Sequence, residues 1–185
     1  MPWTATGTLT AHPVLQHPSL VAPPVAAALE RLDPQVAATV GVTEIDAELA
    51  DTAAFCERYG VAPEASANCV IVKGKRGGDV RFAACMVLAT TRADVNGVVR
   101  RRLDVRSASF APMDEAVALT GMEYGGITPI GLPADWPILV DAAVAAAAEV
   151  VIGGGVRGSK LFLPGSALLA LPGAELVEDL GRPIG

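Results

Sequence analysis

Histidine is nearly absent from this chain, since only His12 and His17 occur among its 185 residues. Each precedes a proline in the opening segment, and a Ser-His-Asp triad would require that segment to fold back onto the rest of the chain. The spacing of the two histidines matches no metal-binding box, and no third ligand lies nearby in the sequence. We therefore expect no histidine-based catalysis, no metal and no other cofactor.

Aromatic residues make up only 4% of the chain, whereas 51% of its residues are hydrophobic. Alanine, valine, leucine and isoleucine must therefore fill the core, and the length suits one domain. The longest apolar run, residues 138–152, is broken by Asp141 and Glu149 and is too polar to span a membrane. The opening residues also lack the basic-then-apolar order of a signal peptide. We expect no membrane partner.

Cysteine is also scarce: Cys56, Cys69 and Cys85 form neither an even disulfide framework nor a metal-ligand spacing. They indicate reduced thiols in a cytoplasmic protein. Cys69 lies inside an apolar run, so it is expected to be a buried, inert thiol rather than a nucleophile.

Basic residues are fewer than acidic ones, 14 against 20, which gives a formal net charge of −6. This argues against an extended, charge-driven grip on nucleic acid, so we expect no DNA partner. Contact with a short piece of RNA stays possible. The basic clusters at residues 73–76 and 100–102 are typical of a hairpin tip and a solvated helix face.

Periodicity and turn residues predict a mixture of helices and strands without βαβ regularity, which favours the α+β class. The runs 69–72 and 81–88 predict a hairpin whose sheet is covered on both faces, because both runs are highly apolar. The other predicted strands are residues 36–42, 105–110, 138–140, 149–152, 160–163 and 176–177. The predicted helices are residues 21–32, 51–59, 94–103, 112–120 and 142–148, with a helical turn at 164–171 and a loosely structured lead-in over 1–20.

Residues 121–133 hold four glycines and two prolines between regular elements. Glycine lets a ligand approach the backbone and proline stiffens the turn, so such a loop presents main-chain N–H groups at fixed positions. It suits binding of a carbonyl oxygen or a developing oxyanion, although a purely structural turn is the alternative. Asn68, Thr128 and Asp141 are polar residues that could point toward one pocket with this loop.

A second glycine-rich stretch, residues 153–160, superficially suggests phosphate binding. It lacks the Gly-Lys-Ser/Thr ending and a long following helix, so a hairpin turn is the better prediction. Arg157 in this stretch is either a phosphate contact or a solvated turn residue.

Residues 51–61, followed by Ala67-Asn-Cys-Val-Ile-Val72, resemble the opening of the YbaK/EbsC family of aminoacyl-tRNA editing domains. This domain also occurs inserted in bacterial prolyl-tRNA synthetases. Residues 93–103 look like the family's middle helix, and 119–132 are similar to its signature, with a Gly-x-x-x-Pro loop at Gly125-Gly-Ile-Thr-Pro129. Residues 140–169 match its closing strands.

The resemblance implies a compact mixed sheet or barrel-like core surrounded by helices, in one domain over 1–185. Residues 1–42 would be an N-terminal helix and strand lead-in, and 43–180 the part that matches the family. It implies a trans-editing deacylase that hydrolyses the ester joining a wrong amino acid to a tRNA 3′ end. The implied backbone donors are Gly125 and Gly126, and the implied substrate-binding residues are Asn68, Ile127, Thr128, Pro129, Asp141 and Arg157.

One departure from the family concerns a phosphate-binding lysine that precedes the Asn-containing strand in relatives. Ala67 stands at the matching position here, and Lys73 lies about 20 Å farther along the strand. A non-catalytic module that binds an aminoacylated 3′ end or a small ligand is therefore the alternative. An esterase acting on a small aminoacyl-like ester is a third possibility. The sequence leaves the amino acid, the tRNA and the oligomeric state open.

Overall fold

Open β-sheets flanked by short helices make up the computed structural model, which describes residues 3–184. The strands are β1 His12–Pro13, β2 Gly41–Glu44, β3 Ala67–Arg76, β4 Asp79–Leu88, β5 Thr91–Ala93, β6 Ser107–Phe110, β7 Ile138–Asp141, β8 Val150–Gly153, β9 Ser159–Leu163, β10 Ala174–Val177 and β11 Gly181–Pro183. The α-helices are α1 Pro23–Arg31, α2 Pro34–Ala37, α3 Thr52–Tyr59, α4 Arg100–Leu103, α5 Met113–Thr120 and α6 Ala142–Ala146. Short 3-10 turns cover Val14–Gln16, Pro18–Leu20, Ala47–Leu49, Pro63–Ala65 and Gly165–Ala170.

The larger sheet has the strand order β10-β7-β4-β3-β6, in which β7 runs parallel to both β10 and β4. A second, antiparallel sheet has the order β1-β2-β9-β8, and β11 pairs with β5. The α+β class is confirmed. The barrel-like closure is not found among the described strands, because the two larger sheets stay open and meet through a single bridge between Ser66 and Val151. Within residues 3–184 no helix is both long and apolar enough to cross a membrane.

The predicted hairpin of β3 and β4 is confirmed and is the longest paired element of the fold, running from Ala67 opposite Leu88 to Arg76 opposite Asp79. Its sheet is covered on both faces, as the apolar runs predict. Successive side chains of a strand point to opposite faces, so Met86 enters the core between the sheets while Cys85 enters a second cluster beneath α4.

Helix α3 covers the outer face of the second sheet. Its Phe55 and Tyr59 pack against Val151 and Phe162, and Gly60 ends the helix in the left-handed region at φ 70°. Glycine adopts this conformation without a Cβ penalty. The start of α3 is thereby held next to the first residues of β3.

The predicted strand over 36–42 is wrong in its first half. Residues Pro34–Ala37 form α2, because Pro34 fixes the first helical φ and the Asp33 carboxylate accepts the Gln35 N–H at 2.8 Å. The strand begins only at Gly41.

The helix predicted over 94–103 is present, but its first turn is not α-helical. It opens with a π-helical turn at Val95–Val99, where the Asp94 carboxylate accepts the N–H groups of Gly97 and Val98, and becomes α-helical only at Arg100. A weak helix former at Gly97 and a strong capping acid at Asp94 account for the wider first turn.

The opening segment is more ordered than predicted. The indole N–H of Trp3 donates to the Thr39 carbonyl at 2.9 Å, and the Glu149 carboxylate accepts the N–H of Thr4 at 2.9 Å. Strand β1 then pairs with β2. Residues 1 and 2 of the predicted lead-in, and residue 185, lie outside the described residues.

Candidate functional site

A cleft of about 470 Å³ lies between the start of β3 and the glycine loop, which we define as residues 121–133. We refer to it as the β3 cleft. Its polar lining includes Asp51 and Thr52 at the start of α3 and Asn68 of β3. The apolar lining residues are Ala67, Cys69, Ile71, Phe110, Ala111, Ala116 and Ile127. The cleft therefore combines an apolar wall with a few polar groups, the composition typical of a small-ligand site.

The glycine loop is held against the turn between β8 and β9 by direct backbone contact. The Gly155 N–H donates to the Gly126 carbonyl at 2.7 Å, and the Glu123 N–H donates to the Gly155 carbonyl at 2.9 Å. A Cβ added at Gly126 would lie 2.5 Å from the Val156 carbonyl oxygen, and one added at Gly153 would lie 2.6 Å from the Gly126 carbonyl oxygen. Glycine is thus required where the two segments meet.

The loop offers backbone donors to the cleft, but the two glycines differ. The Gly126 N–H already donates to the Glu123 carbonyl at 2.9 Å, and Gly126 is not part of the cleft lining. Gly125, at φ 91°, and Ile127 do line the cleft, and neither of their N–H groups has an acceptor among residues 3–184. An anionic oxygen in the cleft could therefore be bound by Gly125 and Ile127, whereas Gly126 serves to close the turn.

Asn68 lies in the cleft with its side chain fixed by helix α3. The Thr52 hydroxyl donates to Asn68 Oδ1 at 2.7 Å. With its carbonyl oxygen engaged, the side-chain NH₂ of Asn68 is the group left to donate to a ligand.

Arg157 braces the glycine loop from the neighbouring turn. Its Nη1 donates to the Tyr124 carbonyl and its Nε to the Ala47 carbonyl, both at 3.2 Å, while its backbone N–H donates to Glu123 Oε1 at 2.7 Å. The Arg157 side chain therefore contacts two carbonyl groups beside the glycine loop, from the turn that joins β8 and β9. Its phosphate contact stays a prediction.

The structure separates three sequence-selected residues from the β3 cleft. Thr128 is fully buried, and its hydroxyl has no hydrogen-bond partner within the described part of the chain. Pro129 lines a different groove of about 310 Å³, together with Gly131 and Leu132. Asp141 is buried at the end of β7, away from the cleft lining. Proximity in sequence to Gly125 and Ile127 therefore does not bring Thr128 and Pro129 into the same pocket.

Asp141 has a structural environment of its own. Burial raises the pKa of its carboxyl above the ordinary value, and the nearby backbone N–H groups of Gly181, Leu180 and Ala142 oppose that shift only in part. The Asp141 carboxyl therefore lies where the start of β11 meets the end of β7.

Replacement Asp141→Asn is expected to leave the cleft intact and the fold as stable as before, or more stable. Because burial raises the pKa of Asp141, its ionised carboxyl costs stability at neutral pH, and the neutral amide removes that cost; the free energy of unfolding should stay the same or rise by about 1 kcal/mol. Urea denaturation at neutral pH measures the change, with Asp79→Asn at the exposed hairpin end as the matched control. Unchanged stability combined with lost ligand binding would instead place Asp141 in the functional site.

The cleft also contains a cation that the sequence analysis did not select. Lys160 of β9 lines the cleft, although the residue is only 7% exposed. Its Nζ donates to the Ala50 carbonyl at 3.1 Å and lies 5.0 Å from the centre of the Phe55 ring. One carbonyl and one ring face occupy two directions of the ammonium group, which has three donor hydrogens. The third is available to a ligand.

The charge of Lys160 is poorly compensated. Desolvation by burial lowers the pKa of Lys160 below the ordinary value, and the carboxylate of Asp51 opposes that shift only in part. Among residues 3–184, no carboxylate oxygen lies within 4.0 Å of the Lys160 ammonium or the Arg157 guanidinium. Lys160 lines the cleft and Arg157 braces the glycine loop beside it, so two cations lie near the one carboxylate of the lining, Asp51.

A signal for Lys160 was present in the sequence. Strand β9 reads Ser-Lys-Leu-Phe-Leu and all five residues are buried, so a lysine inside it is exceptional. The prediction of a hairpin over 149–163 is confirmed by the pairing of β8 with β9. That prediction treated the lysine as the edge of a turn rather than as a buried charge.

The position that the family resemblance assigns to a lysine is held by Ala67, a buried residue of the cleft wall. Lys73 does not replace it, because its Nζ pairs with Glu115 Oε2 at 2.9 Å and it does not line the cleft. Of the three lysines of the chain, all within the described residues, only Lys160 lines the β3 cleft.

The residues of this site do not favour catalysis by a cysteine thiolate or by a metal ion. Cys69 lines the cleft, but burial, together with nearby Cys85, raises the pKa of its thiol. Burial raises the pKa of Cys85 to about 12. Both thiols are therefore held in the unreactive protonated form. Within residues 3–184, no three His, Cys, Asp or Glu side chains converge as a metal site would require.

Comparison with known proteins adds a family and a fold. The model of the aminoacyl-tRNA editing domain family matches residues 46–171. Among solved structures, a proposed trans-editing enzyme for prolyl-tRNA synthetase is 21% identical, with a TM-score of 0.70 over 88% of this chain and 99% of that one. A hypothetical protein is 21% identical, with a TM-score of 0.72 over 84% of this chain and 99% of that one. A structure from work on epitope backbone grafting onto scaffold proteins is 24% identical, with a TM-score of 0.71 over 87% of this chain and 97% of that one. At these identities the structures show the shared fold.

Proposed function

The chain belongs to the aminoacyl-tRNA editing domain family, and from this premise we propose that it is a trans-editing deacylase. Its substrate is the ester between an amino acid and the 3′ end of a tRNA. One observation carries the proposal: the β3 cleft brings together the N–H groups of Gly125 and Ile127, the Asn68 amide and the buried ammonium of Lys160. All four groups are hydrogen-bond donors of residues that line one small cleft, which suits an ester whose carbonyl oxygen becomes negative.

The reaction is a hydrolysis in which these donors stabilise the charge that develops. Water adds to the ester carbonyl carbon, and the carbonyl oxygen takes up negative charge. The bond from that carbon to the ribose oxygen then breaks, and the ribose oxygen receives a proton that originates from the water. The products are the free amino acid and the tRNA 3′ hydroxyl. A single preorganised donor at such an oxygen is worth about 3–4 kcal/mol of transition-state stabilisation.

The substrate also carries a positive α-ammonium group, and Asp51 is the carboxylate of the cleft. Asp51 is the N-cap of α3, but its side chain caps no N–H of that helix. It is therefore available to a ligand. In this proposal Asp51 binds the α-ammonium group, while the loop amides and Lys160 face the carbonyl oxygen. A negative group thus binds the positive end of the aminoacyl group, and donor groups bind the end that becomes negative.

A non-catalytic binding module is the second candidate, and Ala67 is the observation that favours it, because the lysine of relatives is missing there. The same cleft would then hold an aminoacylated 3′ end without cleaving it. A third candidate, an esterase for small aminoacyl-like esters, is favoured only by the acidic net charge.

The test is release of free amino acid from a panel of mischarged tRNAs, including Ala-, Cys- and Ser-charged tRNA(Pro), with correctly charged tRNA as the specificity control. We expect one member of the panel to be hydrolysed well above its spontaneous rate. Binding without turnover across the panel would contradict the proposal and favour the binding module. Turnover of small esters with no preference for the tRNA-linked ones, and no salt dependence of binding, would favour the small-ester esterase.

A further inference from the structure

The β3 cleft is bordered by the most exposed aromatic rings of the chain. The chain has four phenylalanines, two tryptophans and two tyrosines, all within the described residues. Phe110 and Tyr124 are 65% and 53% exposed, whereas every other aromatic residue is buried or half-buried. Both exposed rings line the same cleft. A chain with so few aromatic residues thus exposes two of them at one place.

Both rings project from a fixed backbone. Phe110 ends β6, where its Cα faces Val72 of β3, and the next N–H, that of Ala111, donates to the Ile71 carbonyl at 2.9 Å. The Tyr124 carbonyl accepts a hydrogen bond from Arg157 Nη1. An exposed ring on a rigid backbone loses little conformational freedom when it binds a ligand, so the arrangement is preorganised for stacking.

Resting on the proposed function, we propose that Phe110 and Tyr124 form a stacking surface for the unpaired bases at the 3′ end of the RNA. Every base has an aromatic face, so stacking binds an unpaired strand without a large basic surface. The net charge of −6 makes a grip based on phosphates alone weak. The rings adjoin the cleft proposed to hold the ester, and the terminal base is joined to that ester through a single ribose. Arg157, which has no carboxylate partner among the described residues, adds one cation beside Tyr124.

The experiment measures binding of a short, uncharged RNA ending in unpaired nucleotides, and of the same RNA with its last two nucleotides made abasic. We expect Phe110→Ala and Tyr124→Ala each to weaken binding of the intact RNA about tenfold. Neither variant should further weaken binding of the abasic RNA, and Tyr124→Phe should behave as wild type. Leu176→Ala is the matched control, because Leu176 is a 51% exposed apolar residue of β10 outside the cleft.

The inference would be overturned if the wild-type protein bound the intact and abasic RNAs equally or bound neither of them. It would also be overturned if the alanine substitutions weakened binding of both RNAs to the same extent. A wild-type dimer that dissociates in the alanine variants would also overturn it, since the rings would then bind a second copy. These measurements do not depend on turnover. Base-dependent binding without hydrolysis would refute the proposed deacylase and leave the stacking surface standing, whereas hydrolysis unaffected by removal of the bases would refute only the stacking surface.

Discussion

Lys160→Met is expected to remove most of the deacylation activity while leaving the fold as stable as before, or more stable. The ammonium group is buried with one carbonyl acceptor and no carboxylate within 4.0 Å among the described residues. Its loss removes a charge-assisted contact to the anionic oxygen, which should lower kcat/KM about ten- to 150-fold. Removing a buried charge of this kind also removes its desolvation cost, so the free energy of unfolding should stay the same or rise by about 1 kcal/mol.

The pH dependence of stability gives this prediction a second readout. Because the pKa of Lys160 is lowered in the folded state, the unfolded chain binds more protons between that pKa and the ordinary value of 10.5. Stability of the wild type therefore rises with pH through this window, and below it the buried charge is fully destabilising. The stability advantage of Lys160→Met over the wild type should shrink as the pH is raised through the same range.

Lys75→Met is the matched control, because Lys75 is an exposed residue of β3 that does not line the cleft. It should leave both activity and stability unchanged. If Lys160→Met loses stability and activity together, Lys160 is a structural residue. If it retains full activity, the cleft cation takes no part in the reaction.

Gly125→Ala is expected to produce the second large effect, a loss of about 100-fold or more in kcat/KM. Gly125 has φ 91°, which non-glycine residues adopt only with strain, and an added methyl group would overlap Arg157 Nη1. The substitution should therefore turn the Gly125 N–H away from the cleft and displace the guanidinium that braces Tyr124. We expect a loss of about 1–3 kcal/mol in the free energy of unfolding as well.

Gly77→Ala separates backbone strain from damage to the site. Gly77 also has a positive φ, 59°, but it lies at the tip of the β3–β4 hairpin and an added Cβ would meet no heavy atom within 4 Å. This variant should lose some stability by denaturant titration and keep its deacylation rate. An equal loss of activity in both variants would mean that general destabilisation, rather than the position of the Gly125 amide, explains the effect.

Much of the fold could be predicted because local chemistry decides it. The β3–β4 hairpin follows from two apolar runs joined at Gly77 and Gly78, and the end of α3 follows from Gly60. The strand predicted over 36–42 failed because Asp33 and Pro34 stabilise a helical turn more strongly than apolar periodicity favours a strand. In the helix predicted over 94–103, the Asp94 carboxylate likewise decided the local structure, because it caps a π-helical first turn.

The site was predictable only in part, because side-chain direction depends on register and packing. Asn68, Gly125 and Ile127 meet at the β3 cleft, whereas Thr128 and Pro129, the next two residues of the same loop, face other surroundings. Lys160 enters the cleft from β9, which is distant in sequence from both β3 and the glycine loop. Only the pairing of β9 between β2 and β8 places it there.

The most direct test of the account is a crystal structure of the protein with a non-hydrolysable amide analogue of a 3′-aminoacyl-adenosine. The account predicts that the aminoacyl group occupies the β3 cleft, with its carbonyl oxygen within hydrogen-bond distance of the Gly125 or Ile127 N–H and facing the Lys160 ammonium. An analogue bound in the groove beside Pro129, or bound in the β3 cleft with its carbonyl oxygen turned away from these donors, would contradict it.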